Sequence, residues 1–93
     1  MIELIKDRET SKIWPQEFSK RIPSVIQKIA YRKLVMIHRS RDLIDLRVPP
    51  GNRLEALSGD RSGQYSVRIN DQLRICFRWE AGSAHDVEIV DYH

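Results

Sequence analysis

Cysteine is almost absent. The 93-residue chain carries only Cys76, so no intrachain disulfide can form, and this usage fits a reducing cytosol. Long apolar runs are also missing: no segment is long or apolar enough to span a membrane, and the N-terminus lacks the apolar core of a signal peptide. There is no internal repeat, no low-complexity tract and no glycine loop of the nucleotide-binding type. His38 and His85 have no second His, Cys or carboxylate at ligand spacing, so no metal site is expected, and no pattern asks for a cofactor. Net charge is only +3 although Lys and Arg number 16. Affinity for a polyanion must therefore come from where the cations stand rather than from their total. A chain of this length makes one domain, residues 1–93, that buries roughly 60 to 65% of its unfolded surface.

What is present is concentrated between Arg53 and Trp79. Tyr65, Val67 and Ile69 alternate with Gln64, Ser66, Arg68 and Asn70, the pattern of a half-buried strand. Leu73, Ile75, Phe77 and Trp79 alternate in the same way with Arg74, Cys76 and Arg78. Asn70 and Asp71 tolerate a left-handed backbone, so a two-residue hairpin at Asp71-Gln72 is expected, with the apolar sets on one side of the sheet. Arg68, Arg74 and Arg78 then share the other, open side. Leu54, Ala56 and Leu57 suggest a shorter preceding strand, ended by the loop Ser58 to Gly63 with its two glycines. After the turn Glu80-Ala81-Gly82-Ser83, alternation resumes from His85 to Tyr92. Val87, Ile89 and Asp91 fall on the core side and Tyr92 on the arginine side.

The N-terminal half reads as cover. Ile2 to Ile5 suit a first short strand, and Asp7 suits a helix N-cap with Glu9 near the positive helix end. That helix should run to about Trp14, where Pro15 stops it, and Gln16 to Ile22 is a linker or a further turn. A second helix begins near Pro23, which fits a first helical position, or at a capping box of Ser24 with Gln27. Its apolar stripe is Ile22, Ile26, Ile29, Ala30, Leu34, Met36 and Ile37. Gln27, Lys28, Arg32 and Lys33 form its solvated face. Val48-Pro49-Pro50-Gly51-Asn52 cannot be helical and leads to the sheet. The expected class is α+β, in the order βααβββ with a final strand: two N-terminal helices on one face of a twisted antiparallel sheet.

The run LRVPPGNRLEALSGDRSGQYSVRINDQLRICFRW, with VEIVDYH at the C-terminus, resembles the HigB-type killer toxins of the RelE/ParE superfamily. The GDR-G-x-Y-S, IND-x-x-RI-F-R and DYH motifs carry the likeness across nearly the whole chain. The resemblance implies a RelE-like microbial RNase fold and a cytoplasmic toxin of a type II toxin-antitoxin system. It implies a ribosome-dependent endoribonuclease that cuts mRNA in the decoding A site. It also implies a HigA-type helix-turn-helix antitoxin that sequesters the toxin and links it to operator DNA.

RNA cleavage without a metal needs a base for the 2′-hydroxyl, a cation for the phosphorane and a proton donor to the leaving oxygen. Arg74, Tyr92 and His93 can supply these, and arginine suits phosphate because its guanidinium is a permanently charged fork. An unperturbed imidazole titrates near about 6.5 and a phenol near about 10, so His93 is the better acceptor at neutral pH, while Tyr92 can instead stack on a base. Glu55 stands where some relatives carry histidine, and Ser58 where many carry lysine. Glu55 repels phosphate yet can act as a base. Arg53, Ser58, Arg61, Arg68 and Arg78 are the RNA-binding candidates, whereas Leu73, in place of an expected tryptophan, should affect packing. Cys76 reads as a spacer between arginines. Two other classes remain: a non-catalytic RNA- or ribosome-binding inhibitor, such as a weakened toxin, and a module docking an acidic protein. New RNA ends distinguish the first reading from both.

Overall fold

The computed structural model describes residues 1–6, 8–14 and 22–91. Four antiparallel strands form the sheet in the order β1 (Glu55–Ala56), β2 (Gln64–Arg68), β3 (Leu73–Glu80) and β4 (Ser83–Asp91). Val67 faces Ile75 and Tyr65 faces Phe77 across β2 and β3, while Ser66 faces Cys76 and Arg68 faces Arg74. Directly opposed residues share a face, so the apolar and arginine-bearing sides separate as expected.

The loop that produces this register is not the expected two-residue turn. A two-residue loop at Asp71-Gln72 would oppose odd and even positions and set Arg68 against Ile75. Instead Asn70, Asp71 and Gln72 all lie between Ile69 and Leu73, with the Ile69 amide donating to the Leu73 carbonyl at 2.9 Å. The Asn70 side-chain oxygen closes the loop by accepting from the amides of Gln72 at 2.8 Å and Leu73 at 2.7 Å. One asparagine thus decides which side the arginines occupy.

Between β3 and β4, Ala81 (φ 51°) and Gly82 (φ 78°) form a tight turn closed by the Glu80–Ser83 pair. A bulge then interrupts the alternation. Cys76 opposes Glu88, but Arg78 opposes His85, and Asp86 takes a left-handed conformation at φ 52°. Both Val87 and Ala84 reach the core as a result, each with no exposed surface, whereas simple alternation puts only one of them there.

The expected first strand appears as two parallel bridges, Ile2 to Ala84 and Ile5 to Val87, that extend the sheet beyond β4. Next comes α1 (Arg8–Ile13), only six residues and under two turns. It lies along β4, where buried Thr10 accepts the Ile89 amide at 3.0 Å. The expected pair of covering helices is therefore corrected: one helix, α2 (Ser24–Arg39), forms the layer. The Asp7 cap and residues 15–21, with the Pro15 stop and most of the expected linker, fall outside the described residues.

Helix α2 starts without the capping box. Pro23 is itself the cap, Ser24 is the first helical residue with no side-chain cap bond, and the Gln27 side chain reaches back to the Ile22 carbonyl. Ala30, Leu34 and Ile37 are fully buried in the cluster that holds Val67, Ile75, Phe77 and Val87. Burial of each such large side chain stabilises the fold by roughly 1.5–3 kcal/mol. Beyond α2, Asp42 and Asp45 cap a short 3-10 helix, Leu43–Arg47. The following segment, expected to be non-helical, instead carries a second 3-10 turn at Pro50–Asn52, whose last residue, Asn52, is fully buried. No helix among the described residues is long and apolar enough to cross a membrane.

Candidate functional site

At the loop end of the arginine-bearing face lies a cleft of about 320 Å³, lined by Arg53, Glu55, Arg68, Asn70, Asp71 and Arg74. Three strands build it. Register alone sets Arg68 on β2 opposite Arg74 on β3, a juxtaposition of like charges that costs stability unless each cation is held elsewhere. Both are held. Arg68 is ion-paired with Asp71 in the loop. Arg74 donates from Nε to the Ser66 hydroxyl at 2.7 Å and from Nη2 to the Arg53 carbonyl at 2.6 Å, with Glu55 at 3.9 Å.

The Arg74 side chain is only 13% exposed and the nearby Glu55 carboxylate 57%, so the guanidinium is fixed in the wall while the acid faces solvent. Arg53 follows the Pro50–Asn52 turn in a left-handed conformation, φ 45° and ψ 57°, which turns its carbonyl back toward Arg74. Three guanidiniums against the carboxylates of Glu55 and Asp71 leave the cleft one positive charge in excess. Fixed guanidiniums and an excess cation in a concave site have the charge and geometry to pair with an anionic group.

The remaining candidates lie elsewhere. Arg78 shares the face by register, but the β4 bulge presents Asp86 to its Nε at 2.7 Å and Glu80 pairs with its Nη1. The bond to Asp86, ahead of the charge of Glu80, raises the Arg78 guanidinium further above its ordinary value, and the same bond pulls the Asp86 carboxyl down. Arg61 turns to Glu88 at 2.8 Å and to the Gln64 side chain at 2.9 Å. Ser58 is exposed and precedes the short turn Gly59–Arg61. The face is thus not uniformly open: Ser66 and Cys76 are fully buried on it, between the cleft arginines and Arg78. Burial pushes the Cys76 thiol up, partly offset by the charge of Arg61.

Tyr92 and His93 fall outside the described residues. The last described residue, Asp91, pairs with Leu73 at the same end of the sheet as the cleft and accepts from the Gln72 side chain at 3.2 Å. Sequence reasoning treated Asn70 and Asp71 only as turn residues, although both line the cleft. Their position on a loop next to arginines was the available signal. Among the described residues no three of His, Cys, Asp and Glu gather as metal ligands do.

The fold and this cleft define a small antiparallel-sheet protein with a cation-lined cleft at one sheet end. Over residues 5–93 the chain matches the family described as the RelE-like toxin of type II toxin-antitoxin system HigB, and it belongs to that family. It is 44% identical over 63 residues to Toxin HigB-1 of Vibrio cholerae serotype O1, an alignment that covers 68% of this chain and 66% of that protein. An uncharacterized protein of Haemophilus influenzae is 39% identical over 67 residues, covering 72% of this chain and 66% of that one. The chain thus spans just under two thirds of the curated relatives it matches.

Proposed function

We propose that this HigB-type toxin is a metal-independent endoribonuclease that cuts mRNA on the ribosome and so arrests translation. The observation that carries the reading is the convergence of Arg53, Arg68 and Arg74 in one cleft, with Arg74 held by Ser66 and the Arg53 carbonyl. In the reaction a base takes the proton of a 2′-hydroxyl, the 2′-oxygen attacks the adjacent phosphorus, and the 5′-oxygen leaves as it is protonated. Arg74 and Arg68 stabilise the charge that builds on the phosphorane oxygens. Tyr92 and His93 serve as base, acid or stacking platform. Glu55, near Arg74 and facing solvent, is a further base.

On this reading the protein works in the cytoplasm beside its target, the A site of the translating ribosome. Its other partner is a HigA-type helix-turn-helix antitoxin, through which alone it meets operator DNA. Primer extension on mRNA after induction tests the reading: discrete new ends within codons, lost on Arg74→Ala, are expected, and growth arrest without new ends refutes it.

One observation favours a second reading, a non-catalytic or weakened inhibitor that binds RNA or the ribosome. Glu55 and Asp71 already sit against the guanidiniums that a phosphate needs, and both carboxylates must be outcompeted. Stalled ribosomes without cleaved message are its signature.

A further inference from the structure

Asn52 is polar, fully buried and central to the segment that feeds the cleft. Its side-chain amide donates to the Leu46 carbonyl at 3.1 Å and to the Val48 carbonyl at 3.4 Å, binding together the two ends of the turn before the proline pair. Its side-chain oxygen is bonded by the ammonium of Lys33, which reaches over from α2. The next residue is Arg53, whose left-handed backbone carries the carbonyl that receives Arg74. A series of contacts therefore runs from half-buried Lys33 on the helix to the Arg74 guanidinium of the cleft.

We infer that Lys33 is a positioning residue for the cleft: by holding the Asn52 side chain it fixes the Arg53 backbone, and through the Arg53 carbonyl it aims Arg74. The inference rests on the reading of the cleft as an RNA site. Three features support it. A buried amide oxygen that loses its donor is costly, so the Asn52 side chain needs Lys33 to remain where it is. A left-handed backbone at a residue other than glycine persists only when its surroundings hold it, and the Arg53 amide donates to the Pro50 carbonyl at 3.1 Å across the turn that the buried Asn52 side chain anchors. Finally, the Lys33 ammonium stays in an unfavourable place: partial burial, then the charges of Arg32 and Arg68, hold its pKa below the ordinary lysine value. A lysine that only kept α2 soluble would point to water.

Lys33→Met keeps the apolar stem and removes the donor and charge, whereas Lys33→Arg keeps both. Affinity for a short single-stranded RNA, read by fluorescence anisotropy, is expected to fall about 5- to 10-fold for Lys33→Met, the size of one ordinary hydrogen bond lost indirectly, and to stay within about 2-fold for Lys33→Arg. In an Arg74→Ala background Lys33→Met is expected to cost less than about 2-fold, because its effect passes through a side chain already gone. An equal loss in both backgrounds, or no loss in either, overturns the inference. The Arg74 Nε–H resonance in a nitrogen-15 spectrum reads the geometry without RNA, and it should shift in Lys33→Met and return in Lys33→Arg. If the unmodified protein binds no RNA, the functional reading fails by itself, and an unmoved Arg74 resonance then overturns the positioning role separately. Should Lys33→Met unfold at the assay temperature, Lys33→Gln, a shorter neutral donor, is judged by the same criteria.

Discussion

Replacing Arg74 separates the proposed chemistry from the fold most sharply. Its guanidinium is oriented by bonds to Ser66 and to the Arg53 carbonyl, so the chain has already met the entropic cost of aiming it. A phosphate oxygen seated where the Glu55 carboxylate now lies, near 4 Å from Nη2, would gain about 4 kcal/mol at an effective dielectric near 20. Loss of one preorganised donor in comparable sites costs about 2.7–4 kcal/mol, or 10²- to 10³-fold in rate. The two routes agree, so Arg74→Ala should slow cleavage of ribosome-bound message by about 10²- to 10³-fold.

Arg74→Lys should recover no more than about tenfold of that loss. Lysine restores a charge, but its single ammonium cannot bond Ser66 and the Arg53 carbonyl while also presenting a fork to phosphate. The stability of Arg74→Ala should change little, since that variant also removes the repulsion between Arg74 and Arg68 across the strands. The assay is primer extension on a defined message with purified ribosomes, with thermal melting run in parallel. Cleavage by Arg74→Ala within about threefold of the unmodified protein would refute the reasoning, provided both melt alike.

Other outcomes follow from the same contacts. Asp71→Asn releases Arg68 from its ion pair and should raise RNA affinity about threefold or more at low salt, an effect that fades as salt rises, measured by anisotropy. Arg53→Ala should lower the slope of log affinity against log salt by about 0.7, the value of one phosphate contact on a single strand. The buried Cys76 thiol, with its raised pKa, should resist a thiol-specific dye in the folded protein and react on unfolding. Asp86, whose carboxyl Arg78 holds below 3.8, adds stability that is present above that value and lost as pH falls through its lowered folded-state pKa. The melting temperatures of the unmodified protein and Asp86→Asn should therefore differ at neutral pH and converge in strong acid. Leu34→Ala, at a site with no exposed surface, should cost about 2–5 kcal/mol in urea unfolding.

How far the site could be read in advance depended on what each signal measures. Alternation reports which face a side chain takes, so the shared side of Arg68, Arg74 and Cys76 and the core side of Val67, Ile75 and Phe77 were legible from spacing alone. Alternation says nothing about the number of residues in a loop. The hairpin expected between Asn70 and Leu73 would have defeated the very segregation it was invoked to explain, and only the capture of two amides by the Asn70 oxygen resolves the conflict. Nor does alternation foresee a bulge. The extra residue at Asp86 follows from a left-handed backbone, and it gives Arg78 a carboxylate partner at the far end of the face from the cleft. Arg53 was legible only as one more cation, whereas its carbonyl matters as much as its charge. That role depends on a backbone conformation set by buried Asn52 and by a lysine nineteen positions earlier, a separation that no local pattern spans. The site is thus half a consequence of strand periodicity and half a consequence of loops that bring distant residues under the arginines, and the second half is where substitutions should separate activity from stability.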